Sequence, residues 1–146
     1  MLGWRDAEHA ETAPDAERLV IAPLECALVE KSGAVLFSPG SRLRSAYGEE
    51  QGTEEYRCSY GLNPAFQEKL VEGPLRIAAR DSAGDVRGLE LDSHPFYVLT
   101  LFQPERAALR GMLPPIVAAF VAASAACAAR LSDAAEGQPA APGALG

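Results

Sequence analysis

The sequence predicts an α/β domain, and three observations carry that expectation. Phe96–Phe102 (FYVLTLF) is almost entirely apolar without alternation, the pattern of a strand covered on both faces, as in a parallel sheet. Leu75–Arg80 and Val86–Leu91 read as two more strands, joined by the hairpin turn Asp81-Ser-Ala-Gly-Asp85. Around Pro114-Pro115, the strong hydrophobes Leu113, Ile116, Val117, Phe120 and Val121 fall at i, i+3, i+4, i+7 and i+8. That spacing predicts one apolar stripe on a helix running to about Leu131.

The remaining elements follow in order. Residues 4 to 18 are polar and acidic, interrupted by Pro14, and read as a loop. Leu19–Leu24 and Ala27–Glu30 are β-compatible, Lys31-Ser-Gly33 reads as a turn, and Ala34–Ser38 as the returning strand. Ser41–Tyr47 suits a short helix closed by Gly48. Glu49–Glu55 reads as a polar connection and Tyr56–Tyr60 as a strand. Asn63-Pro64 has the chemistry of an N-cap and first position for a helix to about Leu70. The stretch GQPAAPGALG (137–146) is rich in Gly, Pro and Ala, and residues 132–146 are expected to be a disordered tail after a domain spanning 1–131.

At 146 residues the chain is one domain or part of one. A net charge of −7 argues against a nucleic-acid or anionic-membrane surface, which would need clustered Lys and Arg. Gly111–Ala129 is uncharged and long enough to raise a membrane span. Its single stripe and its alanine content favour an amphipathic helix packed on a sheet, so no membrane partner is expected. Cys26, Cys58 and Cys127 lack the spacing of a disulfide framework or zinc site. The first residues lack a basic and an apolar signal region, and the cytoplasm is the expected compartment.

Other constellations read as ordinary structure. Asp6, Glu8, His9 and Glu11 fit a solvated loop better than a metal site. Asp81 and Asp85 flank a hairpin Gly and do not make a calcium loop. Neither phosphate-loop motif occurs, so no ATP or UTP site and no cofactor is expected. His94 before Pro95 reads as a strand-entry residue. Cys26 has no flanking Gly for a nucleophile elbow, Cys58 sits inside a strand and Cys127 on an Ala-rich helix. All three fit small packed residues better than nucleophiles.

Three segments carry a family resemblance. Gly40-Ser-Arg-Leu-Arg-Ser-Ala-Tyr-Gly48, Tyr56-Arg-Cys-Ser-Tyr-Gly-Leu-Asn63 and His94-Pro-Phe-Tyr-Val-Leu-Thr-Leu-Phe-Gln-Pro-Glu105 occur in order across most of residues 1 to 130. Together they resemble the class I glutamine amidotransferase domain in the form found at the C-terminus of CTP synthase. They also resemble a bacterial group related to that C-terminal region alone. The resemblance implies the C-terminal portion of a flavodoxin-like three-layer domain, with an incomplete central sheet whose open edges invite self-association. It also implies that the family's nucleophile segment lies upstream of Met1. The pathway it points to is glutamine-dependent pyrimidine nucleotide synthesis.

The family places a His and a Glu in the last turn, as two members of a Cys-His-Glu triad. By resemblance Glu105 stands at the carboxylate position and Gln103 at the His position. A primary amide has no useful protonation equilibrium near pH 7, so Gln103 cannot serve as the proton carrier. Ser59 stands where the family has an Arg that pairs with the glutamine carboxylate. Arg57, two residues away on the same strand face, is the candidate substitute, with Tyr60 beside it. The expected function is an amidotransferase-like domain, inactive alone, that binds glutamine or another small polar ligand. Two alternatives stay open. One is a non-catalytic ligand-binding or regulatory module. The other is a hydrolase or redox protein whose Cys or selenocysteine nucleophile lies upstream.

Overall fold

The computed structural model describes residues 3–136. It is a mixed α/β structure around one open six-stranded sheet. The strands are β1 (Glu8–His9), β2 (Leu19–Phe37), β3 (Gln51–Leu62), β4 (Leu75–Asp81), β5 (Val86–Leu91) and β6 (Val98–Thr100). The helices are α1 (Arg42–Tyr47), α2 (Gln67–Val71, entered through a 3₁₀ turn at Pro64–Phe66), α3 (Glu105–Leu109) and α4 (Pro115–Glu136). The order is β1-β2-β4-β5-β6, with β3 paired to β2.

The largest departure from the sequence reading is β2. The expected turn at Lys31-Ser32-Gly33 is absent, and the chain continues as one 19-residue strand. Antiparallel pairing from Ile21↔Leu62 to Leu36↔Gln51 holds it extended. The break in local pattern is absorbed by a bulge, where the register shifts between Val29 and Lys31 and Glu30 takes φ +50°. The supposed connection before Tyr56 is likewise strand from Gln51 onward.

Helix α1 closes this long hairpin as its local chemistry predicts. The Ser41 side chain accepts from the Arg44 N–H at 3.0 Å. Gly48 ends the helix at φ +70°, its N–H donating to the Arg44 carbonyl at 2.9 Å. Leu43 points into the core with Val35, Phe37, Tyr56, Ala78, Ala79, Phe102 and Ile116. It rests on Gly88 of β5, where an added Cβ would meet Leu43 Cδ1 at 2.8 Å. The Asp81–Asp85 hairpin forms as expected, with the Asp81 N–H donating to the Asp85 carbonyl and Gly84 at φ +93°. Asn63 caps the turn that begins at Pro64, its side chain accepting from the Ala65 N–H.

The parallel, doubly covered strand expected over Phe96–Phe102 takes a different form. Only Val98–Thr100 is strand, and it pairs antiparallel with β5 as Gly88↔Thr100, Leu89↔Leu99 and Glu90↔Val98. Among the described residues nothing pairs with its other side. Helix α4 lies beside it, with the Phe120 and Phe96 rings 5.7 Å apart, but only Ile116 of its stripe is buried. Val117, Phe120 and Val121 stay exposed, so the stripe is covered by the sheet at one end only. Pro115–Ala134 is long and apolar enough to cross a membrane by length and composition. Helix α4 continues to Glu136, and residues 137–146, the greater part of the expected tail, lie outside the described residues.

Candidate functional site

The turn after β6 is built from both ends. Phe102 is buried and packs edge-on against Tyr56, which stops the strand against the core. The next amide, on Gln103, donates to the Glu55 carbonyl of β3 at 2.9 Å. Pro104 precedes the first helical residue of α3, Glu105, and the Arg106 N–H donates to the Gln103 carbonyl at 3.1 Å. Gln103 is half-buried and Glu105 is exposed at the start of α3, where a carboxylate favours the helix dipole.

An ionic network fixes this turn to the long hairpin. Arg106 Nε donates to Glu55 at 2.9 Å, and its terminal nitrogen donates to Glu30 at 2.6 Å. Arg110 approaches Glu55 at 2.5 Å, and Arg57 approaches Glu30 at 3.6 Å. The Arg106 hydrogen bond, reinforced by that from Arg110, holds the Glu55 carboxyl below the usual carboxylate range. Its hydrogen bond to Glu55 raises Arg106 in turn. The neighbouring Glu54 goes the other way. Burial raises it, although the Tyr47 hydroxyl donates to it at 2.5 Å. Burial also pushes the Tyr56 phenol up to about 12.

The candidates on β3 sit farther along the strand. Gln103 is anchored at Glu55, and Ser59 lies four residues on, about 13 Å along an extended strand. Arg57 and Ser59 are exposed, and the Arg57 guanidinium faces Glu30. Tyr60 is half-buried, its ring 5.0 Å from that of His9. His9 is occupied locally, since its Nδ1 accepts from the Glu11 N–H at 3.0 Å. Tyr60, His9 and Cys58 line a cleft of about 260 Å³, with Leu99, Thr100 and Leu101 across it. The Cys58 thiol donates to the Tyr60 carbonyl at 2.7 Å, whereas Cys26 is exposed. His94 behaves as a loop residue, its Nδ1 accepting from the Phe96 N–H. Among the described residues no three His, Cys, Asp or Glu side chains converge as a metal site would need.

Sequence reasoning missed two buried ionic clusters. Glu90 is fully buried in β5; its Oε2 accepts from the Arg42 N–H at 2.8 Å, while its Oε1 faces the Arg42 and Arg76 guanidiniums. Arg42 also donates to the carbonyls of Asp92, His94 and Pro95, clamping the loop that feeds β6. Arg87 is buried, binds Asp81 through two nitrogens and lies 6.0 Å from the Tyr56 ring centre. The available signal was a charged residue set between apolar neighbours within a strand, as in Leu89-Glu90-Leu91 and Val86-Arg87-Gly88.

No family model matches the chain. Curated CTP synthases do. That of Methanopyrus kandleri is 31% identical over 135 residues, covering 85% of this chain and 25% of that protein. That of Carboxydothermus hydrogenoformans is 33% identical over 132 residues, covering 84% and 25%. The chain therefore spans about a quarter of the length of the curated relatives it matches. Among solved structures, the glutaminase domain of Trypanosoma brucei CTPS with bound acivicin superposes at a TM-score of 0.75. That match has 23% identity and covers 86% of this chain and 53% of the other.

Proposed function

We infer, from a chain related over most of its length to the glutaminase region of CTP synthase, that this is the triad-turn portion of a glutamine amidotransferase-type domain, and that it does not hydrolyse glutamine by itself. The observation that carries the reading is the sequence Gln103-Pro104-Glu105 at the start of α3, anchored to β3 through Glu55. Amide hydrolysis by a thiol needs a group that takes the thiol proton and returns it to the leaving ammonia. Gln103 donates and accepts hydrogen bonds but neither takes up nor releases a proton near pH 7.

Among the described residues nothing at this turn compensates. Glu105 in the carboxylate position has no imidazole to orient. Cys58 lies on the strand that anchors the turn, yet its thiol is directed at the Tyr60 carbonyl, and His9 in the same cleft has its Nδ1 taken by the Glu11 N–H. Ser59 offers no charge to a substrate carboxylate, and Arg57 is shared with Glu30. The expected result is release of glutamate and ammonia from glutamine no faster than in buffer. Steady turnover by the purified chain would overturn the reading.

The cleft beside Tyr60 and Cys58 favours a second reading, a binding module that kept the fold without the chemistry. Its test is thermal unfolding with glutamine or acivicin. A concentration-dependent rise in Tm that is lost in Tyr60→Ala supports binding at this cleft. A flat response to both compounds refutes it.

A further inference from the structure

We propose that Glu30 is a positioning residue, whose carboxylate ties the Gln103–Glu105 turn to Arg57. This inference deepens the amidotransferase-type reading and rests on it, because that reading makes the turn and Arg57 two parts of one site. The starting point is the backbone. Glu30 is the extra residue of the β2 bulge: Val29 pairs with Arg57 and Lys31 with Tyr56, which leaves Glu30 without a partner in the ladder. Its φ of +50° is the only positive value at a non-glycine residue among the described residues. Glycine takes that conformation freely, and one common type of bulge places glycine there. The one glycine of β2, Gly33, lies three residues on, where a Cβ would meet nothing within 4 Å and no positive φ is required. The chain thus carries a long side chain where the backbone favours none.

That side chain has partners on two different elements. One oxygen accepts from a terminal nitrogen of Arg106 at 2.6 Å, and the other lies 3.6 Å from Arg57 Nε. Glu55 holds Arg106 at its Nε, a single contact that leaves the outer guanidinium able to swing. The second contact, from Glu30, fixes the plane of the fork. The Arg106 N–H donates to the Gln103 carbonyl, so a fixed Arg106 steadies the turn that carries Gln103 and Glu105. Among the described residues Glu30 is also the one carboxylate that pairs with Arg57.

Stability does not account for this arrangement. Glu30 and Arg57 are exposed, and exposed ion pairs contribute little to the fold. A left-handed backbone at a non-glycine residue is itself unfavourable, and such strain collects where placement of a side chain matters. What Glu30 supplies is a fixed relation between Arg57 on β3 and the turn before α3. Every contact of this tie lies within residues 30–106 and stands whatever covers the outer faces of the sheet.

The test compares the full chain with Glu30→Gln, Glu30→Gly and Glu30→Asp. The first keeps size and strain but removes the charge. The second removes side chain and strain together. The third keeps the charge on a residue that tolerates a left-handed backbone better. Amide exchange at Gln103, Arg106 and Ala107 should speed about tenfold in Glu30→Gln and Glu30→Gly, and by less than about threefold in Glu30→Asp, while β4 amides stay as they are. The Tm of Glu30→Gly should equal or exceed that of Glu30→Gln, because glycine relieves the strain. The Nε–H order parameters of Arg57 and Arg106 should fall in both, a readout that a role confined to the bulge would not move. Asp6→Asn, which breaks the exposed pair with Arg18 at 2.7 Å, should leave the turn unaffected. Faster exchange in Glu30→Gly alone would assign the effect to the bulge and overturn the proposal. So would unchanged exchange at the turn, acceleration shared by β4 or produced equally by Asp6→Asn, no rescue by Glu30→Asp, a Tm of Glu30→Gly below that of Glu30→Gln, or order parameters indifferent to the charge. Glutamine turnover by the unaltered chain is a separate measurement, so failure of the amidotransferase reading and failure of this tie are told apart.

Discussion

Glu55 holds the turn at two points, pairing its carboxylate with Arg106 at 2.9 Å and accepting at its carbonyl from the Gln103 N–H at 2.9 Å. One residue of β3 thus positions the whole Gln103–Arg106 segment from 51 residues away. Glu55→Gln keeps an acceptor and removes the charge. The Glu55 pKa is lowered in the fold, so its contribution is full above its unfolded value of 4.5 and is lost as pH falls through the depressed folded value. Urea midpoints should therefore show the wild type more stable than Glu55→Gln at pH 7, with the gap closing in acid.

Glu54, one residue earlier, should show the opposite slope. Burial raises its pKa more than the Tyr47 hydrogen bond lowers it. The charged form is thus disfavoured in the fold, and stability falls as pH rises from 4.5 through the raised folded value. Glu54→Gln keeps an acceptor for Tyr47 and removes that penalty. It should match the wild type in acid and exceed it at pH 7, as read by Tm across pH.

Packing of α1 on the sheet depends on a missing side chain. An added Cβ on Gly88 would lie 2.8 Å from Leu43 Cδ1 and 3.1 Å from the Ala79 Cβ. Gly88→Ala is expected to cost about 1–3 kcal/mol by overpacking. Leu43→Ala, at a fully buried position, is expected to cost about 2–5 kcal/mol by opening a cavity. Because the new methyl would occupy part of that cavity, the double variant should lose less than the sum of the two. Denaturant titration of all four proteins measures the coupling, and simple additivity would refute the contact.

How much of this was legible in the sequence follows from the range of the forces involved. Ser41, Gly48, Asn63 and the Asp81–Asp85 hairpin act over a few residues, and their caps and turn form where residue chemistry puts them. Lys31-Ser32-Gly33 has local turn chemistry, yet pairing with Glu54–Tyr56 keeps it extended, a long-range contact that no local window contains. The Gln103-Pro104-Glu105 turn is visible as the polar end of an apolar run. Its anchor on Glu55 is not, since nothing near Arg106 in sequence marks that partner. The composition of Phe96–Phe102 is that of a strand covered on both faces. The composition is real, but β6 has one neighbour among the described residues.

The buried carboxylate of Glu90 offers the most demanding test of the fold. It sits at the first turn of α1, accepting from the Arg42 N–H, and faces two guanidiniums that are themselves partly solvated. Glu90→Gln preserves shape and one acceptor but leaves Arg42 and Arg76 without their shared counter-charge. Removing one partner of such a cluster is expected to cost about 3 kcal/mol, because the cations remain partly desolvated. The loss should be local as well as global. Arg42 also holds the Asp92, His94 and Pro95 carbonyls, so amides from Ser93 to Val98 should exchange faster than those of β4. Glu90→Leu removes the acceptor too, and should be worse than Glu90→Gln in both measurements. If leucine were tolerated as well as glutamine, the cluster would be contributing volume and not charge.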